Sequence, residues 1–158
     1  MNIQTEAELK ADDRFLPETF FLGPVGCWGY VQDFKGVVRR NFSADVDGRI
    51  EDGVTILDEV LTYEDGEQDV RAWHIRQKSP GVYSAKAEGV IGEAIIKSTG
   101  PNELRWTYDM EIPVNGRKIR LSFEDVMIRS APDLVLTATT MKKFGLVVGR
   151  LTVAYQRK

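Results

Sequence analysis

From Gly26 onward, apolar and polar positions alternate in short runs divided by turn residues. The clearest run puts Leu104, Trp106, Tyr108, Met110 and Ile112 on one face and Arg105, Thr107, Asp109 and Glu111 on the other. That period of two is the mark of a half-buried β-strand. Ile119, Leu121 and Phe123 repeat it against Arg120, Ser122 and Glu124. Between the two runs lies Asn115-Gly116, a pair that tolerates positive φ and predicts a tight hairpin. Further turn signals stand at Lys35-Gly36, Asp47-Gly48, Asp65-Gly66, Pro80-Gly81, Gly100-Pro101-Asn102 and Pro132-Asp133. Gly53 and Gly89 are candidate bulge positions.

No long helical period interrupts the series, so neither a βαβ unit nor a second domain is expected. Leu16 to Phe21 fits one short helical turn, with Pro17 near its start. The prediction is an all-β protein of about ten sequential strands. Closure into an antiparallel up-and-down barrel would remove the sheet edges, and an open two-layer sandwich is the alternative. Residues 1–15 are expected to form a polar leader and residues 16–158 the single domain.

Composition narrows the function classes. The 158 residues are 42% hydrophobic and 28% charged, the balance of one ordinary globular domain. The net charge is −3, and no segment joins basic charge to aromatics as a nucleic-acid binder would. No apolar run nears the roughly 18 residues of a membrane span, so a soluble protein is expected. The N-terminus lacks a signal-peptide core, and the lone Cys27 can form no internal disulfide. Both point to the cytoplasm, or to an envelope location if a leader has been removed.

Gly26-Cys27-Trp28 has the Gly-x-Trp form that opens the first strand of lipocalins, with a helical turn before it. A longer string runs Phe20-Phe21-Leu22-Gly23, Trp28-Gly29, Arg39-Arg40-Asn41-Phe42, Leu57-Asp58-Glu59, Tyr63-Glu64-Asp65-Gly66-Glu67 and Arg71-Ala72-Trp73. It continues with Gly89-Val90-Ile91-Gly92-Glu93-Ala94, Trp106-Thr107-Tyr108, Pro113-Val114-Asn115-Gly116-Arg117 and Met141-Lys142-Lys143-Phe144-Gly145. In order and spacing it resembles the bacterial family called domain of unknown function 3833. The resemblance implies a lipocalin-like barrel and no catalytic residues. Many relatives carry a lipoprotein leader, which is not seen at this N-terminus.

Alternation also assigns faces, because a barrel strand sends every second side chain inward. Arg40 shares a face with Phe42, Ala44 and Val46. Glu59 shares one with Leu57, Leu61 and Tyr63, Arg71 with Trp73 and Ile75, and Asp125 with Leu121, Phe123 and Met127. Two arginines and two carboxylates therefore point inward. Three readings fit them. The first is an Arg–carboxylate network that fixes strand register. In the second, Arg40 or Arg71, with Tyr63, Tyr83 or Tyr108, holds the polar head of an amphipathic ligand. The third makes Glu59 and Asp125 an acid/base pair.

His74 falls on the outer face. With one His and one Cys, a zinc site lacks ligands, and no phosphate-cradling loop appears. No metal and no cofactor are expected. Trp28 is expected to close one barrel end, Cys27 to pack as a small hydrophobe, and Lys142-Lys143 to form a solvated turn.

The expected function is binding of a small hydrophobic or amphipathic molecule inside the barrel, rather than catalysis. The expected site is Arg40, Glu59, Tyr63, Arg71, Trp73, Tyr83, Trp106, Tyr108, Phe123 and Asp125. Ala44, Ala85, Ala87 and Ala94 leave room there. The alternatives are a packed structural or partner-binding barrel and a metal-free acid/base enzyme. A continuous lumen open at one end separates the first reading from the packed barrel.

Overall fold

The computed structural model describes residues 13–158. One helical turn, α1 (Pro17–Phe20), precedes ten strands: β1 (Gly23–Asp33), β2 (Val38–Glu51), β3 (Val54–Tyr63), β4 (Gln68–Ser79), β5 (Val82–Lys86), β6 (Val90–Gly100), β7 (Glu103–Val114), β8 (Arg117–Ala131), β9 (Leu134–Lys143) and β10 (Leu146–Arg157). Each strand pairs antiparallel with the next, and β1 pairs with β10 to close the barrel. The expected meander and its closure are both present.

The alternating runs become strands because each has an apolar face to bury and polar residues to leave in water. Leu104, Trp106 and Met110 are buried on β7, while Arg105, Thr107 and Glu111 are exposed. Six of the seven turn signals mark strand connections. Asp47-Gly48 does not. Gly48 sits inside β2, paired with Gly23 on one side and Leu57 on the other. A Cβ there would lie 1.8 Å from the Phe21 carbonyl oxygen. Glycine is required at that point by a close backbone approach rather than by a turn. The true β2–β3 turn is Asp52-Gly53, and Gly89 likewise belongs to the β5–β6 connection rather than to a bulge.

The N-terminal segment plugs one end of the barrel. Phe15, Phe20 and Phe21 are buried and pack edge-on, with ring centroids 5.4 Å apart for Phe15–Phe20 and 5.1 Å for Phe20–Phe21. The Phe15 amide donates to the Pro101 carbonyl at 2.8 Å. Most of the expected leader lies outside the described residues; its last residue, Phe15, is part of the plug.

At the opposite end the wall has a gap. The β4–β5 ladder begins at His74↔Lys86, whereas β4 pairs with β3 as far as Gln68. Residues 68–73 therefore have a strand partner on one side only. Across from them, residues 90–93 of β6 lie beyond the β5–β6 ladder, which ends at Ala85↔Ala94. Because β5 is so short, a lateral slit separates β4 from β6 near the open end.

Candidate functional site

The barrel is hollow. A cavity of ≈ 760 Å³ runs from Phe21 of the plug up to Glu67, Glu88 and Lys118 at the open rim. Its volume falls within the range of small-molecule sites. Nine of the ten expected site residues line it: Arg40, Glu59, Tyr63, Arg71, Trp73, Trp106, Tyr108, Phe123 and Asp125. Tyr83 does not. Its hydroxyl donates to Glu18 Oε1 at 2.8 Å, which ties β5 to the plug. Burial and the Glu18 carboxylate raise the Tyr83 pKa.

The middle of the lumen is aromatic on one side. Trp73 stands edge-on to Trp106 at 5.3 Å and to Tyr108 at 5.4 Å, and Tyr108 stacks on Phe123 at 5.0 Å. These rings meet because Trp106↔Asp125 and Tyr108↔Phe123 are neighbours across β7–β8.

Among the rings stand the ionisable groups. Glu59 and Arg71 are cross-strand partners on β3 and β4. Burial raises the Glu59 pKa to about 7; Arg71 and Trp73 pull it down, and Asp125 pushes it up. Burial likewise raises Asp125 to about 6, against the opposing pull of Thr139 and Tyr108. The Tyr108 hydroxyl donates to Asp125 Oδ2 at 3.2 Å, and burial next to that carboxylate holds the phenol well above its ordinary range.

The expected Arg–carboxylate network has no direct ion pair: its groups act on one another only at longer range. Arg40 turns to the rim, where its Nη2 lies 3.1 Å from Glu67 and 3.4 Å from Asp65, with its guanidinium over the Tyr63 ring at 3.5 Å. The Arg71 guanidinium makes no ion pair within 4 Å and no hydrogen bond among the described residues. It borders both the lumen and a second recess of ≈ 450 Å³, with Val70, Ala87 and Glu88 at the slit. Its charge acts on Glu59 across the strand pair without a direct ion pair, which leaves its guanidinium facing the cavity. Four side-chain polar atoms of the described residues are buried without a hydrogen-bond partner: Glu18 Oε2 at the plug, and Asp125 Oδ1, Trp106 Nε1 and Thr137 Oγ1. The last three belong to lumen-lining residues. Buried polar groups left unmatched are uncommon and ask for a partner.

Several lining residues were not foreseen. Thr137 and Thr139 face inward from β9, Tyr155 from β10 and Asp69 from β4. A signal existed for the threonines, since Val135, Thr137, Thr139 and Met141 share one face by alternation. Tyr63 donates to Asp69 at 3.2 Å. Cys27 is buried beside Tyr155, and burial, then Glu59, pushes its thiol up to about 12, which disfavours the thiolate. Trp28 corrects an expectation: inward Cys27 puts it on the outer face, 53% exposed, lying over Gly26 rather than closing a barrel end. Lys142 and Lys143 end β9 instead of forming a turn, and Lys142 pairs with Glu124 at 3.3 Å. His74 is exposed, as expected. Of the four alanines, Ala44 lines the lumen and Ala87 the outer recess, while Ala85 and Ala94 are packed in the core.

No described helix is long and apolar enough to cross a membrane, and no cluster of three metal-ligating side chains occurs among the described residues. The profile of the family described as "Protein of unknown function (DUF3833)" matches residues 1–157. No curated protein matches the chain. Among solved structures, the S-type phycobiliprotein lyase CPES from Guillardia theta superposes with a TM-score of 0.69 at 10% identity, over 99% of this chain and 98% of that one. The barrel EF1p2_mFAP2b bound to DFHBI gives 0.47 at 11% identity, over 91% and 100%. At such identity the first likeness is one of fold: a closed lipocalin-like barrel.

Proposed function

Because the chain belongs to the DUF3833 family of proteins of unknown function, we propose its role from its interior: it binds a small amphipathic molecule in the lumen. The apolar body packs on Trp73, Trp106 and Phe123, and an anionic group meets Arg71. One observation carries this reading. A ≈ 760 Å³ lumen holds an arginine with no ion pair among the described residues. A guanidinium left this way gains most from a ligand carboxylate or phosphate that accepts two parallel hydrogen bonds. Glu59 and Asp125, raised to about 7 and about 6, oppose such an anion least below about pH 6, where both are mostly protonated. The slit beside Arg71 offers the polar head a way to water while the body stays covered.

Native mass spectrometry of the full chain purified from its source tests this, followed by displacement of a fluorescent fatty acid. The expected result is a copurified small molecule and displacement by long-chain anions. No copurified molecule, with no displacement by a broad lipid panel at high micromolar concentration, would sink the reading.

A second reading rests on Glu59 and Asp125, two lumen carboxylates raised to about 7 and about 6. Such a pair suits general acid/base catalysis without a metal. Turnover of any ligand found, lost in Glu59→Gln with binding kept, would favour it over simple carriage.

A further inference from the structure

The open rim is divided by chemistry. Three neighbouring hairpin tips, β1–β2, β9–β10 and β7–β8, share one half of it, since β1 pairs β10 and β8 pairs β9. The other half consists of the β3–β4 and β5–β6 tips.

The first half is apolar and basic. Phe34 is 64% exposed, Phe144 92% and Leu146 71%, with Val37, Val38, Val114 and Val148 exposed beside them. These are half of the large apolar side chains that the described surface exposes; the rest are scattered over it. Lys35 lies over the Phe34 ring at 5.7 Å, and Lys143 over Phe144 at 4.6 Å. Lys35, Lys143, Arg117 and Lys118 make no ion pair among the described residues. The second half carries Glu64, Asp65, Glu67, Asp69 and Glu88.

Backbone geometry gives an independent sign. The Asp52-Gly53, Asn115-Gly116 and Phe144-Gly145 turns share one conformation, with first-residue φ of 50°, 49° and 52°. Asp and Asn tolerate that left-handed region, whereas a bulky aromatic rarely occupies it. Phe144 is thus placed where it neither packs nor relaxes its own turn. Such strain points to a contact outside the chain.

We propose that this half of the rim docks on an anionic lipid bilayer. Phe34, Phe144 and Leu146 enter the headgroup region, and the four cations face lipid phosphates. The acidic half is repelled, so the barrel leans with its mouth beside the surface. A fluid bilayer accommodates separate protruding tips. A second copy would need a continuous patch of roughly 800 Å² per partner, and here the lumen opens in the middle. The proposal is independent of what the lumen holds.

The full chain is co-sedimented with vesicles of phosphatidylcholine alone and of phosphatidylcholine with phosphatidylglycerol, at about 0.1 M salt. Binding to the mixed vesicles should exceed binding to the neutral ones at least about tenfold and fall at high salt. Phe34→Ser/Phe144→Ser and Lys35→Glu/Lys143→Glu should each lose about tenfold or more. Ile50→Ser/Leu136→Ser, exposed apolar positions away from the open rim, should bind as the parent does. Circular dichroism and thermal melts confirm that every variant folds. Equal binding to both vesicles, no binding, or full binding by either tip variant would overturn the proposal. So would a micromolar dimer that dissociates in Lys35→Glu/Lys143→Glu, because it would assign the rim to a second copy.

Discussion

The two ends of this barrel solve opposite problems with the same residue type. At the plugged end, Phe15, Phe20 and Phe21 are at most 3% exposed, and β2 keeps a glycine so that the Phe21 carbonyl can approach. At the open end, Phe34 and Phe144 stand in solvent, one of them on a strained turn. The phenylalanines of the plug contribute core stability. Those of the rim contribute none that the fold can use. A closed end can be optimised for packing, whereas the open end keeps exposed, locally unfavourable residues.

The contrast breaks most visibly at the plug. Phe21→Ala should cost about 3–5 kcal/mol, because the plug loses a buried aromatic that packs on Phe15, Phe20 and Tyr155. Gly48→Ala should be comparably damaging, since its Cβ must displace the Phe21 backbone. Chemical denaturation of both measures this, and small losses would mean that the plug is not part of the cooperative core. Phe34→Ala at the rim should change stability by less than about 0.5 kcal/mol.

The lumen between the two ends predicts a pH effect of intermediate size. Glu59 and Asp125 have folded pKa values of about 7 and about 6, above their ordinary 4.5 and 3.8. Between those limits the folded state holds more protons than the unfolded state, so stability falls as pH rises. The contribution is full below about pH 4 and is lost as pH passes about 7. Its size should be about 3 kcal/mol or less, because water admitted to the lumen screens both groups. Melts from pH 4 to 8 check the slope, and Glu59→Gln/Asp125→Asn should flatten it.

Next in size is Arg71→Met. It should weaken binding of a long-chain anion by about tenfold, or about 1.4 kcal/mol, while Arg40→Met weakens it less because Arg40 is already paired with Asp65 and Glu67. Displacement titrations of the two variants side by side would show whether the free cation or the paired one holds the ligand. Affinity in the parent should fall as pH rises through about 6–7, where Glu59 and Asp125 become anionic around the same site. One further small effect has the opposite sign. Phe144→Asn relaxes the turn that Asn115 already satisfies elsewhere, and should stabilise the fold by about 1 kcal/mol. A loss of stability instead would mean that Phe144 packs on something within the chain.

The strand pattern, the closed meander and the inward side of nine of the ten candidate residues were legible in the sequence. The physical reason is that alternation is a local property: every second residue of a β-strand faces the same way whatever its neighbours are. The polarity of Arg105 beside the apolarity of Trp106 is enough to orient β7. Other features were decided only when distant strands met. Gly48 looks like a turn residue until the Phe21 carbonyl arrives against it from a different segment. Tyr83 shares the apolar face of its strand but is claimed by Glu18 of the plug. Arg40 and Arg71 are alike in the sequence and differ in the barrel, one neutralised by the β3–β4 tip and the other left beside a slit that exists because β5 is short. Periodicity determined which side chains face inward. Tertiary packing decided which of those are satisfied, and so which remain available for a ligand.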